Sequence, residues 1–366
     1  MGPLNALDLP PDPHEGVWLR QQVALPGQAR RAAAQFARRA ALGADRISEI
    51  ELAVTEVAVN LNRHAEDGSL LLRLLRTAAG PTVELLAIDH GPGIADLATA
   101  RRDGYSSAGT LGVGLGVVQR MADTFDVQSL MGRGTVLLAR FQDRADAPYP
   151  EPAVVGLTRP LSGETVCGDA WAVRTVGEPA EAEPAGEESD PGAEQLLVVL
   201  CDGLGHGPLA ARASAHAVTA FRRAAATEPT EIVRALHSAM AGTRGGALGV
   251  ARIDLRTRRV SYCGVGNISA FIVTDLGRSS LLSAPGIVGH HLPRLRGFEA
   301  DLPAGASLVL HSDGLTERWD PSSMAGLLRH PGTVIAAQLL REAGVRRDDA
   351  GVVVVKTAEA APGGRP

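Results

Sequence analysis

The stretch Leu-Leu-Val-Val-Leu-Cys-Asp-Gly-Leu-Gly-His-Gly, residues 196–207, decides how the C-terminal half of this chain reads. The apolar run 196–201 lacks the alternation of a strand with one wet face, so it reads as a strand buried on both sides. It ends in a carboxylate, Asp202, then in glycines, and a helix of small residues follows over 208–226. Three more strand ends carry an aspartate beside a glycine or another aspartate: Gly168-Asp169, Asp313-Gly314 and Asp348-Asp349. A single Asp-Gly pair is most often a turn. Four such carboxylates, each flanked by an apolar strand, form a set. With no His or Cys at ligand spacing, the set suits hard ions such as Mg²⁺ or Mn²⁺. Two such ions can activate water for in-line attack on phosphorus.

Around that stretch, strands are expected over 170–176, 247–253, 259–265, 269–274, 307–311 and 352–356, and helices over 208–226 and 231–240. Strands outnumber helices, and the helices are adjacent, which fits sheets packed on each other and covered by helices. The polar, Pro-rich segment 143–152 separates this half from the residues before it. Residues 177–195 carry seven acids and no base, enough by themselves to outweigh the net charge of −5, and read as a solvated loop. Residues 358–366 read as a tail.

The N-terminal half alternates differently. Apolar residues at helical spacing mark helices over 27–42 and 45–64, with strands over 69–77 and 82–89. Glu56 and Asn60, four apart, project from one face of the second helix. The strand ending at Ile88 runs into Asp89-His90-Gly91-Pro92-Gly93-Ile94, where a carboxylate can accept from an exocyclic base amine and Gly91 and Gly93 admit close approach. Next come Gly112, Gly114 and Gly116 at the start of a helix expected over 113–125, a loop type suited to phosphate oxygens. Gly134-Thr135 opens the last strand, 135–141.

Composition excludes several classes. At 366 residues the chain suits two domains; it is 45% apolar and 21% charged, ordinary for a globular protein. A net charge of −5 and 3% aromatics give no nucleic-acid footprint. No apolar stretch is long enough to span a membrane, and residues 1–17 lack the pattern of a secretory leader, so a cytoplasmic location is expected. Three scattered cysteines without CxxC argue against disulfides and thiolate metal sites. Lys356 is the sole lysine, so phosphate contacts by cationic side chains fall to arginine.

The ordered set ExxxN, DxGPGI, GxGxG and Gly-Thr resembles the histidine-kinase-like (GHKL) ATPase superfamily over residues 15–142, and most of all the anti-sigma-factor and stressosome serine kinases. The C-terminal set, CGD, CDGLGHG, HSDG and RDD, resembles the SpoIIE-type metal-dependent phosphatases of the type 2C (PPM) superfamily over 153–357. The implied fold class is α+β in two domains, a GHKL α/β sandwich followed by an αββα sandwich. By the first resemblance Asn60 would hold the Mg²⁺ of ATP, Asp89, Gly91, Gly93 and Thr135 would form the adenine pocket, and Gly112, Gly114 and Gly116 would line the phosphates. Glu56 would orient the acceptor hydroxyl. By the second, Asp202 bridges two Mg²⁺ or Mn²⁺ ions with help from the Gly203 carbonyl, Asp313 and Asp348 complete one ion, and Asp169 supports the other. Asp349 and His206 are expected to be structural, and Gly351 stands near where relatives usually place a Thr, a departure that removes no carboxylate and is expected to leave metal binding intact.

The resemblances imply a bifunctional switch, a Ser/Thr kinase and a phosphoserine/phosphothreonine phosphatase acting on a STAS-domain anti-anti-sigma or stressosome protein, with a homodimer compatible. The alternative is a phosphatase alone, with the first domain an ATP-binding sensor or docking module. No separate phosphoacceptor helix is read ahead of the first domain, so His64 is expected to be structural.

Overall fold

A computed structural model describes residues 16–77, 80–100, 114–145, 149, 151–176 and 195–357. Gly112, most of the glycine lid, nearly all of the acidic stretch and the tail lie outside them. The chain divides into two compact units, and residues 333–341 group with the N-terminal one.

The N-terminal unit runs β1 (Gly16–Arg20), α1 (Leu25–Arg39), α2 (Ala44–His64), β2 (Ser69–Thr77), β3 (Gly80–Ile88), α3 (Leu97–Ala100), α4 (Leu115–Met121), β4 (Thr124–Leu130) and β5 (Gly134–Phe141). Its antiparallel sheet has the order β1-β2-β3-β5-β4. Alternation along the strands sends Leu70, Leu72 and Leu74 with Val83, Leu85 and Phe141 to one face, where Ala29, Ala33, Val54, Val57 and Leu61 of α1 and α2 cover them. The small residues of α1 let the two helices lie close. The expected helix over 113–125 is shorter, because β4 begins at Thr124 and pairs with β5.

The opposite face carries charge at its centre. Glu84, fully buried, accepts from Arg73 Nε (2.7 Å) and Arg140 Nε (2.8 Å). Arg140 also donates to Glu151 and to Thr333 Oγ1 (2.9 Å). Together the two guanidinium groups hold the Glu84 carboxyl below the usual carboxylate range although burial opposes them. Arg46 fixes the start of α2: it donates to Gln142 O, Glu49, Met121 O and Asp123.

The C-terminal unit runs β6 (Val154–Arg159), β7 (Asp169–Thr175), β8 (Gln195–Gly203), α5 (Pro208–Arg223), α6 (Pro229–Ala239), β9 (Gly246–Asp254), β10 (Arg259–Val265), β11 (Ser269–Thr274), β12 (Gly277–Leu281), β13 (Ser283–Ala284), β14 (Phe298–Asp301), β15 (Ser307–His311), α7 (Gly332–Ala343) and β16 (Ala350–Lys356), α7 being the helix whose residues 333–341 group with the N-terminal unit. One sheet has the order β13-β10-β9-β8-β7, with β14 on β10; the other is β12-β11-β15-β16-β6. Leu196, Val198 and Leu200 of β8 face the second sheet, meeting Ile272, Leu308, Leu310, Val353 and Val355 across a shared core. Leu197, Val199 and Cys201 face Ala213, Ala217 and Phe221 of α5 and Leu236 of α6. Burial on both faces explains the unbroken apolar run. The fold class is as expected: mixed α and β, antiparallel sheets, two domains.

The sequence reading has no element at 332–343, where α7 forms. Residues 333–341 are buried throughout, although Gln338, Arg341 and Glu342 at i, i+3 and i+4 share one helical face.

Candidate active sites

In the N-terminal unit, Glu56 and Asn60 are half-buried on α2. Burial raises the Glu56 carboxyl, opposed by Arg63. α2 packs against α4, and its last turn reaches the loop after β3: a Cβ on Gly91 would lie 2.8 Å from His64 O and 3.0 Å from Asp89 Oδ1. The Gly91 N–H donates to Asp89 Oδ1 at 2.8 Å and aims the carboxylate. Burial pushes the Asp89 carboxyl up, and backbone N–H groups pull it back.

Two glycines here are geometrically required. Gly93, at φ +76°, would place a Cβ 2.6 Å from Leu130 O; Gly134, at φ +107°, would drive one into the Asp89 carbonyl. Asp89 N donates to Thr135 O (3.0 Å), and Thr135 Oγ1 meets Ser129 Oγ, which accepts from Ile94 N. Asp89, Gly91, Gly93, Gly134 and Thr135 therefore form one tight corner with no room for side chains at its glycines. The glycines let backbone meet backbone there and so fix the loop that carries Asp89. Gly114 caps the start of α4 and Gly116 lies in its first turn.

In the C-terminal unit, register brings the first two aspartates together: Asp169 of β7 lies opposite Asp202 of β8. Asp169 is buried; Ser312 Oγ donates to its Oδ2 at 2.6 Å, while Oδ1 has no hydrogen-bond partner. Burial, then Asp202, hold the Asp169 carboxyl well above its ordinary range. Asp202 is pushed up to about 7 by burial and by Asp313 and Asp348. Asp348 is raised by burial and by Asp313. Asn267 Nδ2 spans the gap, 2.6 Å from Asp313 Oδ2 and 3.3 Å from Asp202 Oδ2.

Asp169, Asp202, Asp313 and Asp348 thus lie in one another's field. Among the described residues, no three His, Cys, Asp or Glu are gathered tightly enough to hold an ion as they stand. The donor set nevertheless fits divalent cations: mutually repelling oxygens, one of them buried and unsatisfied, gain most from added positive charge. Gly203 sits beneath Asp202, where a Cβ would strike the Ala210 carbonyl.

Asp349 is structural, accepting from Leu161 N (2.7 Å) and Gly168 N (2.8 Å). His206 Nδ1 lies 3.5 Å from Glu164 Oε1 at the surface. The thiols of Cys167 and Cys201 are raised well above their ordinary value by burial and neighbouring aspartates, so they stay protonated. Gly351 has a steric reason: a Cβ there would lie 3.0 Å from Asp169 Oδ2 and 3.0 Å from Leu200 Cδ1. Asn267 and Ser312 were not legible as site residues. Ser312 lies inside the HSDG motif, but Asn267, after the turn at Gly266, carries no motif.

Comparison with known proteins follows the same division. Residues 19–141 match the histidine kinase-like ATPase domain, and over 92 residues the chain is 34% identical to the serine/threonine-protein kinase RsbT of Bacillus subtilis (strain 168), covering 25% of this chain and 69% of that protein. The chain belongs to the histidine kinase-like ATPase family. To that ATPase domain is joined a second, over residues 192–358, that matches stage II sporulation protein E (SpoIIE). The phosphoserine phosphatase RsbX of the same organism is 24% identical over 154 residues, 42% of this chain and 69% of RsbX. A solved chain from the bacterial stressosome, described as a modular system adapted to control secondary messenger signalling, is 29% identical. It covers 55% of this chain and 97% of its own length, with a TM-score of 0.46. The chain is therefore a histidine kinase-like ATPase fused to a SpoIIE-type phosphatase, and these domain types imply ATP and a divalent metal as cofactors. No described helix is long and apolar enough to cross a membrane.

Proposed function

We propose that this chain is a cytoplasmic signalling switch carrying two opposed activities. The N-terminal domain, 15–142, transfers phosphate from ATP to a Ser or Thr of a partner protein. The C-terminal domain, 153–357, hydrolyses phosphoserine or phosphothreonine on the same class of partner. That partner is a STAS-domain anti-anti-sigma or stressosome protein, as the sequence resemblance implies. The similarity to a serine/threonine-protein kinase, RsbT, and a phosphoserine phosphatase, RsbX, supports opposed action on a hydroxyl side chain. Working as a homodimer is consistent with this reading.

The observation that carries the phosphatase half is the pairing of Asp169 and Asp202 across β7 and β8, with Asp313 and Asp348 within their field. Asp202 would bridge two ions, Gly203 O, Asp313 and Asp348 would complete one, and Asp169 would support the other. When bound, paired Mg²⁺ or Mn²⁺ ions supply the charge that makes water nucleophilic toward phosphorus. Ser312 orients Asp169, and Asn267 must release Asp202 and Asp313 for their oxygens to turn inward.

In the kinase half, Asp89 accepts from the adenine amine and Thr135 backs the ring. Gly112, Gly114 and Gly116 offer backbone N–H groups to phosphates, and Asn60 holds the Mg²⁺ of ATP. Glu56, made more basic by burial, orients the acceptor hydroxyl and takes its proton.

A phosphate-mobility gel with a STAS partner tests both halves. Glu56→Ala should abolish phosphate addition and Asp202→Ala its removal. No addition by the wild type with ATP and Mg²⁺, while removal persists, would leave a phosphatase with an ATP-binding sensor. Equal removal by wild type and Asp202→Ala would end the phosphatase reading.

A further inference from the structure

Charge counting at the carboxylate site exposes a missing group. Four aspartates balance two divalent ions, so a phosphomonoester dianion arrives with its own charge uncompensated. Phosphate recognition calls for a guanidinium fork or an ammonium nearby. The only lysine is committed elsewhere, Lys356 Nζ donating to His330 O at 2.8 Å.

Arg244 meets the requirement. It sits in the turn before β9, whose Gly246 pairs with Gly203 and whose Ala247 pairs with Asp202. The backbone on both sides of it is held: Leu204 N donates to Gly245 O (2.9 Å), Gly246 N to Val288 O (3.1 Å), and Gly245 N to Thr243 Oγ1 (3.0 Å). A Cβ on Gly205 would lie 3.1 Å from Arg244 Nη1, so the guanidinium rests over the bare backbone of the loop after Asp202. Arg244 is nevertheless exposed, and no carboxylate or carbonyl among the described residues engages it. A cation lying over the loop that follows Asp202, held on a fixed turn with no such partner among the described residues, is available to a ligand anion.

We infer that Arg244 is the residue that positions the substrate phosphate for hydrolysis in the C-terminal domain, an inference that rests on the phosphatase reading above. The reaction adds one water: its oxygen bonds to phosphorus, the bond from phosphorus to the seryl oxygen breaks, and a proton goes to that oxygen. Arg244 acts on the non-bridging phosphate oxygens and leaves this balance unchanged.

Steady-state hydrolysis of para-nitrophenyl phosphate and of a phosphoserine peptide by the full chain with Mn²⁺ tests the assignment, with inorganic phosphate as inhibitor. Arg244→Ala should raise KM and the inhibition constant of inorganic phosphate about tenfold or more, with kcat changed far less. Arg244→Lys should recover part of both, because it restores charge without the fork. Titration of each variant with Mn²⁺ by calorimetry should match the wild type, which separates lost phosphate contact from a damaged metal site. An active wild type beside an Arg244→Ala variant with unaltered KM and phosphate inhibition would overturn the assignment. So would the same losses appearing in Arg347→Ala instead. A wild type inactive on both substrates would strike the phosphatase reading itself.

Discussion

Ser312 Oγ donates a 2.6 Å hydrogen bond to Oδ2 of Asp169, a residue 143 positions earlier in the chain. The same hydroxyl accepts from Gly351 N at 2.9 Å, so one side chain joins β7 to the ends of β15 and β16. Both groups are buried. Ser312→Ala leaves Asp169 without its one orienting donor. The cost should be about 1–3 kcal/mol in denaturant unfolding. Mg²⁺ affinity by calorimetry should fall about tenfold, as for other outer partners of ligand carboxylates.

Asn267 makes the opposite kind of contact, one that competes with cation binding. In metal-free protein, Asn267→Ala removes the donor that damps repulsion between Asp202 and Asp313. Both Asn267 hydrogen bonds are exposed, so the loss should be below about 1 kcal/mol. Thermal melts in chelator should show the variant slightly lower than wild type. In saturating Mn²⁺ the gap should close, and persistence of the full gap would contradict the competition.

Glu84 ties acid stability to the N-terminal sheet. Its folded carboxyl titrates below its unfolded value, so the folded state binds fewer protons than the unfolded state in that interval. Stability from this group is present above the ordinary carboxylate pKa and lost as pH falls through the folded one. Glu84→Gln should flatten the unfolding free energy below about pH 4.5, the ordinary carboxylate range. At neutral pH it should cost about 3–5 kcal/mol, because Arg73 and Arg140 lose their buried counter-charge.

Gly134→Ala probes the corner at Asp89 that we propose takes adenine. Its Cβ would overlap the Asp89 carbonyl, and φ +107° is unfavourable to any L side chain. Binding of a fluorescent ATP analogue should drop at least about tenfold, a shift of about 1.4 kcal/mol. Metal-dependent hydrolysis by the C-terminal domain should continue.

Gly351→Thr asks whether the glycine serves Asp169. The added Cβ meets Asp169 Oδ2 and Leu200 Cδ1 at 3.0 Å, closer than ordinary contact. The variant should melt lower and bind Mn²⁺ more weakly than wild type, read by calorimetry; unchanged affinity would show that the pocket relaxes.

Local chemistry written in the sequence was enough to define two domains, the buried strand at β8 and the carboxylates and glycines at strand ends. Apolar spacing, strand-end Asp-Gly pairs and the order of motifs are properties of nearby residues, and they survive without coordinates. Long-range pairing decided the rest. The β7–β8 register, not spacing, sets Asp169 opposite Asp202. Asn267, Ser312 and Arg244 acquire meaning only when strands distant in sequence meet, because a polar residue after a turn is unremarkable until its neighbours are known. Helix α7 carries a helical stripe in its sequence, Gln338, Arg341 and Glu342. What only the tertiary structure decided is that Gln338 and Arg341 are buried, because burial depends on what packs around the helix and not on its own spacing.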